Sequence, residues 1–352
     1  MDSRSISGKE LTFAISAVVV LVLAVAGSIY VLERLGEDDD ADLVIVSYQS
    51  FSTWGLGPWA EEEFESLYGL DVRIDTNYGD VGQLLSALEV GGVKADLVIG
   101  IDNSMLRTAL ELDMLSTYKP DNISWVDPQM IFDPSFHVVP YDYGYLAMIC
   151  NSEMMEDRDL PYPDSIMNLS DDVYRDQLML IDPTMSSTGS SFLIWAASVA
   201  GDDLDDYLDE LSRNQFNVYQ SWDAMYEFFK KGEAPIAISY GLDTASDIQW
   251  AGSSSTVTIV PDDEGYRQIE GAGILKDGEN RENAELFLEF MLSDGFQSRV
   301  GYNVMLPVIP GTEIDPLYLE HGQFATSHVE PDIGVVLEDY DDWLDCWESS
   351  FY

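Results

Sequence analysis

Short apolar, β-rich runs alternate with helix-patterned segments along most of this chain, and that alternation limits its fold more than any other feature. Leu43–Ser47, Asp71–Asp75 and Leu97–Ile101 read as strands. Between and after them, Pro58–Leu67, Val81–Val90 and Ser104–Leu112 carry apolar residues at helical spacing. Strands separated by helices pair through crossovers rather than hairpins. The expected product is a parallel, doubly wound α/β sheet. A second unit of the same kind follows, with strands at Gln177–Ile181 and Ile236–Ser239 and helices at Ser190–Ala200 and Trp222–Lys230. Two extended segments, His137–Ile149 and Gln268–Leu275, join the units. Arg281–Leu292 and the acidic Ile333–Trp347 read as helices beyond them. The organisation expected is lobe 1 over 43–142, lobe 2 over 143–269, and a return to lobe 1 with a C-terminal helix over 270–352. Two crossings make a hinge with a cleft between the lobes.

The N-terminus is of another character. After a short tail (1–10), Leu11–Leu32 holds no charged residue. As a helix it would span roughly 33 Å, enough to cross a bilayer. A transmembrane anchor and a signal helix are both open. Ala24-Val25-Ala26 resembles a cleavage site, whereas Ser28–Leu32 prolongs the apolar run and favours an uncleaved anchor. Arg4 and Lys9 precede the run and Arg34 follows it, which places the N-terminus inside and the rest outside the cytoplasm. Residues 33–42 read as an acidic tether.

Sixty-five acids against 16 bases give a formal charge of −49, while the hydrophobic fraction is 46%. The apolar share suffices for a core, and the charge repels phosphate backbones, so nucleic acid is not an expected partner. Such acidity resembles that of proteins adapted to high salt. The two cysteines, Cys150 and Cys346, allow one bridge or two buried thiols and no four-thiolate zinc site. There is no phosphate-binding P-loop, GxSxG elbow or HExxH motif, and the three histidines are scattered. No catalytic residue, metal site or cofactor is expected. Asn122-Ile-Ser124 and Asn168-Leu-Ser170 match the glycosylation pattern.

Three constellations suit ligand binding. In Asp182–Ser191 a strand ends, a Ser/Thr/Gly loop follows and a helix begins, so Ser186, Ser187 and free backbone N–H groups converge where a helix dipole favours an anion. An ordinary helix cap accounts for the same residues. Aromatics follow strand ends: Tyr48, Trp54, Tyr141, Tyr143, Tyr145, Trp222 and Tyr240. In open sheets the carboxyl ends of strands face the ligand crevice, and rings there can stack on a flat or cationic ligand at about 0.5–2 kcal/mol per cation–π contact. Each ring taken singly also reads as a core filler. Four acids, Asp80, Asp102, Asp142 and Asp243, stand at similar places and can accept hydrogen bonds from an amine or offset a cation; surface charge is the competing account.

Read in order, these pieces resemble the thiamine-binding periplasmic proteins of ABC importers. The resemblance runs from about Leu43 to Pro307 and rests on SYQSFSTWGLGP at 47–58, GDVGQLLSALE at 79–89, KADLVIGIDNSML at 94–106, VPYDYGYLAMI at 139–149, DPTMSSTG at 182–189, QSWDAMYEFFKKGEAPIAISY at 220–240 and FLEFMLSDGFQ at 287–297. It implies a type 2 periplasmic-binding-protein fold. It puts ligand contacts on Asp80, Val81, Ser186, Ser187, Trp222, Tyr240, Gly241, Leu242, Asp243 and Thr244, with Tyr48 and Trp54 near the pocket. The rings would sandwich a pyrimidine and a thiazolium, the acids would meet the aminopyrimidine and the positive ring, and the serine loop would hold a hydroxyl or a phosphate. Val304 and Leu306 stand where the family carries aromatics, so one pocket wall should be more aliphatic.

The resemblance implies a non-catalytic, monomeric receptor outside the cytoplasm. It would deliver thiamine or its phosphates to an ABC permease and its ATPase; the apolar run over 11–32 departs from a freely diffusing form and would hold the chain to the membrane unless it is cleaved. Two alternatives stand beside it: a receptor for ferric ion, a polyamine or a sugar on the same scaffold, and a thiamine-cleaving enzyme, which would need a cysteine in the cleft.

Overall fold

In the computed structural model the described residues are 41–329, 331 and 333–352. The expected N-terminal tail, the apolar helix over 11–32 and nearly all of the tether lie outside them. Among the described residues no helix is long and apolar enough to cross a membrane.

From Leu43 the chain lays down β1 (Leu43–Val46), α1 (Gln49–Thr53), α2 (Leu56–Tyr68), β2 (Val72–Asp75), α3 (Val81–Glu89), β3 (Leu97–Asp102), α4 (Leu106–Glu111) and the short β4 (Leu115–Ser116). The long β5 (Val139–Asn151) leads into α5 (Ser152–Asp157), β6 (Leu178–Ile181), α6 (Ser187–Ala200), α7 (Leu204–Leu211), β7 (Gln215–Tyr219), α8 (Trp222–Lys230), β8 (Ile236–Tyr240), α9 (Asp243–Ala251) and β9 (Thr256–Ile259). Then β10 (Gly265–Leu275) returns to α10 (Arg281–Met291), α11 (Asp294–Gln297), β11 (Leu306–Pro307), α12 (Pro316–His321), β12 (His328–Val329) and α13 (Ile333–Phe351).

Local chemistry sets these boundaries. Gly55 and Gly69 bracket α2 at φ +97° and +69°, the left-handed region glycine enters without a Cβ clash. Asp80 and Gln83 form a capping box on α3, each side chain meeting the other's backbone N–H. Ser221 caps α8 through the Ala224 N–H. Helix α6 begins at Ser187, three residues before the expected start, and is buried from Ser187 to Ala197. Its hydroxyl-bearing first turns and its apolar Phe192–Ala197 run are alike covered, so the helix sits within the protein rather than on its surface.

The sheet runs β2-β1-β3-β10-β5-β8-β6-β7. Its two ends are parallel as expected, β1 with β2 and β3, and β6 with β7 and β8. Its middle corrects the expectation of a parallel sheet. There β10 is antiparallel to β3 and β5, and β5 is antiparallel to β8 and β9. The chain goes out along β5 and comes back along β10, so the two must run in opposite senses. In that pair Glu270 stands opposite Asp142, beside a register shift between Glu270 and Gly271.

Two apolar cores form, and β5 and β10 contribute to both. One holds Leu43, Phe64, Leu97, Tyr141, Ile269 and Phe287; the other holds Leu146, Met148, Trp195, Phe229, Ile238 and Tyr266. The C-terminal helix α13 packs on the second core, where Trp347 is fully buried and stacks on Phe351 at 3.9 Å. Its Asp341 also meets Arg107 of α4, from the first half, at 2.9 Å. Both cysteines are free, which removes the bridge that the sequence allowed.

Candidate functional site

Three helix N-termini converge on one carboxylate. Asp80 caps α3 through the Val81 N–H at 2.7 Å. Its other oxygen accepts the Ser186 hydroxyl at 2.7 Å and the Trp222 N–H at 3.3 Å, and the Ser187 N–H lies 3.4 Å from Oδ1. Ser186–Ser187 opens α6 and Trp222 opens α8, so a side chain of the first half satisfies orphan donors of two helices in the second. Burial raises the Asp80 pKa, while the bonds from Ser186 and the three N–H groups oppose that rise.

Beside Asp80 lies a cavity of about 30 Å³, lined by Tyr48, Ser50, Trp54, Asp80, Ser187, Thr188, Trp222, Tyr240, Glu270, Asn303, Val304 and Met305. The space is that of about one water. Four of the twelve lining residues are aromatic, two are carboxylates, and none is basic. Trp222 stacks on Tyr226 at 4.7 Å and meets the edge of Trp54 at 6.3 Å, while its indole N–H donates to Ser239 at 2.8 Å. The Tyr240 hydroxyl lies 2.8 Å from that of Thr188 and donates to Gln268 at 3.0 Å.

Of the residues the resemblance nominates, the structure brings Tyr48, Trp54, Asp80, Ser187, Trp222 and Tyr240 to this cavity. Ser186 sits one bond behind, on Asp80. Val81 is buried against the first core. Gly241 lies under the Gln323 carbonyl, where a Cβ would come within 2.4 Å. Leu242 packs in the second core, Asp243 accepts the Tyr240 N–H at 3.1 Å, and Thr244 bonds to Thr258 and Thr256. These last four support the β8–α9 turn and do not line the cavity. Val304, at φ +56°, and Met305 form an aliphatic wall, while Leu306 turns into β11 beside Tyr143.

The remaining nominated acids divide. Asp102 accepts from the Ser104 hydroxyl at 2.6 Å and the N–H groups of Ser104 and Met105 on one oxygen, and from the Ser191 hydroxyl of α6 at 3.3 Å on the other. Burial pushes it to about 7, and does the same for Asp243. Asp142 is fully buried, and neither oxygen meets a hydrogen-bond donor among the described residues.

Sequence reasoning missed Glu270. Its Oε2 accepts both the Tyr48 hydroxyl at 2.7 Å and the Tyr141 hydroxyl at 2.6 Å, and Asn303 donates to Tyr48 at 2.8 Å. Burial raises both Glu270 and its cross-strand partner Asp142, and repulsion between the two adds to the rise in Asp142. An acidic residue inside the otherwise apolar and small run Ile269–Ile274 was the available signal, since a carboxylate in a buried strand needs a reason to be there.

Cys150 is buried in β5, where burial pushes its thiol to about 12, and Cys346 lies on α13. Neither lines the cavity, so a thiolate attack of the kind a thiamine-cleaving enzyme needs has no nucleophile at this site. Among the described residues no group of three or more His, Cys, Asp or Glu side chains is arranged to hold a metal.

The family model for bacterial extracellular solute-binding proteins matches residues 55–298. The thiamine-binding periplasmic protein of Brucella abortus is 31% identical over 261 residues, covering 73% of this chain and 76% of the relative. A solved periplasmic thiamin binding protein superposes with a TM-score of 0.80 at 25% identity, covering 88% of this chain and 96% of that one. Apo ferric ion-binding protein A of Pasteurella haemolytica superposes at 0.71 with 17% identity over 88% and 97%, a likeness of fold alone. With both the model match and this relative spanning most of its length, the chain belongs to the bacterial extracellular solute-binding protein family.

Proposed function

We propose that this chain is the solute-binding component of an ABC importer, working outside the cytoplasm, and that it binds thiamine between its two halves and hands it to a permease and ATPase. One observation carries the choice of ligand class: a cavity lined by four rings and two carboxylates with no basic side chain. Such a lining suits a flat cationic ring, through ring stacking and through carboxylates with no basic neighbour in the lining. Thiamine carries a flat cationic thiazolium joined by a methylene to a flat aminopyrimidine, and the Brucella relative and the solved periplasmic thiamin binding protein bind it. No chemical step is part of the proposal.

Admission of a two-ring molecule needs more room than the present cavity, so the halves must part and close again about β5 and β10. A ligand touching Asp80 and Glu270 from one half and Trp222 and Tyr240 from the other would favour the closed form. The permease would then read the closed shape. A monomer and an anchor formed by residues 11–32 complete the proposal.

The hydrogen bonds at Asp80 order the candidate ligands. A carboxylate already occupies the point where α6 and α8 present their donors. A phosphate would have to displace it and meet its repulsion, whereas a hydroxyethyl arm can share the Ser187 and Thr188 hydroxyls. Thiamine should therefore bind more tightly than its mono- or diphosphate. The test is intrinsic fluorescence titration of the full chain at high salt with thiamine, its two phosphates, ferric ion and spermidine. Saturation by thiamine at one equivalent is expected. Saturation by ferric ion or spermidine with no response to thiamine would overturn the reading.

A further inference from the structure

A second concavity lies at the outer side of Trp54 and Trp222. It measures about 590 Å³ and is lined by residues of α1, α8 and α9, within the roughly 300–1,000 Å³ typical of small-molecule sites. Its rings are Trp54, Trp222, Tyr226 and Trp250. Trp54 meets Tyr226 edge-on at 6.0 Å, and Trp250, 53% exposed, leans on Tyr302 at 6.1 Å. Tyr302 packs against the first core and Trp250 belongs to a helix of the second half, so the groove lies over the mouth of the cleft.

Its charge is one-sided. Asp223, Glu227 and Asp247 line it against the single base Lys230. Lys230 is committed, its Nζ lying 2.7 Å from both oxygens of Asp247. Glu227 has a partner outside the lining, Lys231 at 2.6 Å. Asp223 meets Ser50, which also lines the inner cavity. Four rings and a carboxylate without a basic partner in the lining describe the same chemistry as the inner cavity, in a space many times larger.

We propose that this groove is a second, weaker binding site for a planar aromatic cation. The proposal rests on the cation reading of the inner cavity and extends it to a separate set of residues, with Trp54 and Trp222 as the wall between the two. Being open to solvent, the groove offers less desolvation, so each ring contact is worth less there than in the cleft. The experiment is isothermal titration of the full chain with thiamine up to millimolar concentration, for the wild type and for Trp250→Ala, Trp250→Phe and Glu270→Gln. The wild type should show a tight site and a weaker one. Trp250→Ala should weaken the second site at least tenfold, and Trp250→Phe, which keeps a ring, should restore it to within threefold. Glu270→Gln should weaken the tight site and spare the other. A single site in the wild type, or a second site indifferent to Trp250→Ala, overturns the proposal. Loss of the tight site alone would instead count against the inner-cavity reading.

Discussion

Replacing Glu270 by glutamine removes one charge from the cavity and little else. The amide has nearly the same shape, and its oxygen can still accept from Tyr48 and Tyr141, which now hold Oε2 at 2.7 and 2.6 Å. A cation at a contact distance of about 4 Å gains about 4 kcal/mol from a carboxylate at an effective dielectric near 20. Part of that is spent on ionisation, because burial holds Glu270 above the usual carboxylate range and Asp142 faces it across the strand pair. Each pH unit between the working pH and the raised pKa takes back about 1.4 kcal/mol. A net loss of about 1.5–3 kcal/mol remains, a weakening of roughly 10- to 150-fold in thiamine Kd. The same reasoning gives a proton signature. Near neutral pH the wild type should release a proton as the cation enters, so its affinity should rise with pH and its binding enthalpy should vary with buffer ionisation enthalpy. Glu270→Gln should lose most of both effects, leaving only what Asp142 supplies. Titration calorimetry at pH 6, 7 and 8 in two buffers measures them together. Unchanged affinity with an unchanged proton count in the variant would refute a charge-based grip by Glu270.

Other outcomes follow from the same contacts. Trp222→Ala should weaken thiamine binding by about 1–3 kcal/mol, since it removes a stacking surface along with packing on Tyr226; calorimetry within twofold of wild type would take Trp222 out of the site. The folded protein should lose stability as pH rises toward 7, because Asp102 and Asp243 hold protons to about 7 when folded and only to the ordinary carboxylate range when unfolded, so the folded state binds more protons in that window. Asp142→Asn should raise the melting temperature at pH 8 and flatten this dependence in thermal scans, since the charge it removes meets no donor. Gly82→Ala should weaken ligand binding about 5- to 100-fold without touching the ligand, because its Cβ would stand 2.8 Å from the Met185 carbonyl across the cleft and hold the halves apart by a few tenths of an ångström. Small-angle scattering showing the variant closing as fully as the wild type would count against that mechanism.

Much of the architecture was legible because it is written in local pattern. The strands β1, β3 and β6 are short apolar runs, and α8 was placed at Trp222–Lys230, the span observed. What escaped was what depends on partners far along the chain. The antiparallel centre follows from β5 and β10 meeting, a fact about residues more than a hundred positions apart. Helix α7, LDDYLDEL, hides its period among acids that a strongly acidic chain carries everywhere, although Leu204, Tyr207, Leu208 and Leu211 are buried. At the site, Asp80 and Trp222 stood out by position after a turn and before a helix. Glu270 carried no such mark, because its role comes from two distant tyrosines, Tyr48 in the turn after β1 and Tyr141 on β5. The turn Gly241–Thr244 was nominated with Tyr240, and the structure keeps Tyr240 at the cavity while the turn holds it from behind.

The acids of this protein act over two different ranges, and added salt separates them. At about 1 M salt the Debye length is near 3 Å, so the field of a −49 surface does not reach an approaching cation. Attraction across the outer groove, which opens to solvent and where Glu227 is exposed, should fade in the same way. Glu270 and Asp80 are different, being 4% and 8% exposed, with rings and helix ends closing around them. A ligand held between the closed halves would cover these carboxylates, so a cation bound there meets them with little counter-ion screening. A tight site that holds its affinity as salt rises, beside a weak site that does not, is therefore the expected signature of recognition by buried rather than surface charge. Equal salt sensitivity at both would mean that the surface potential, and not the cavity, does the binding.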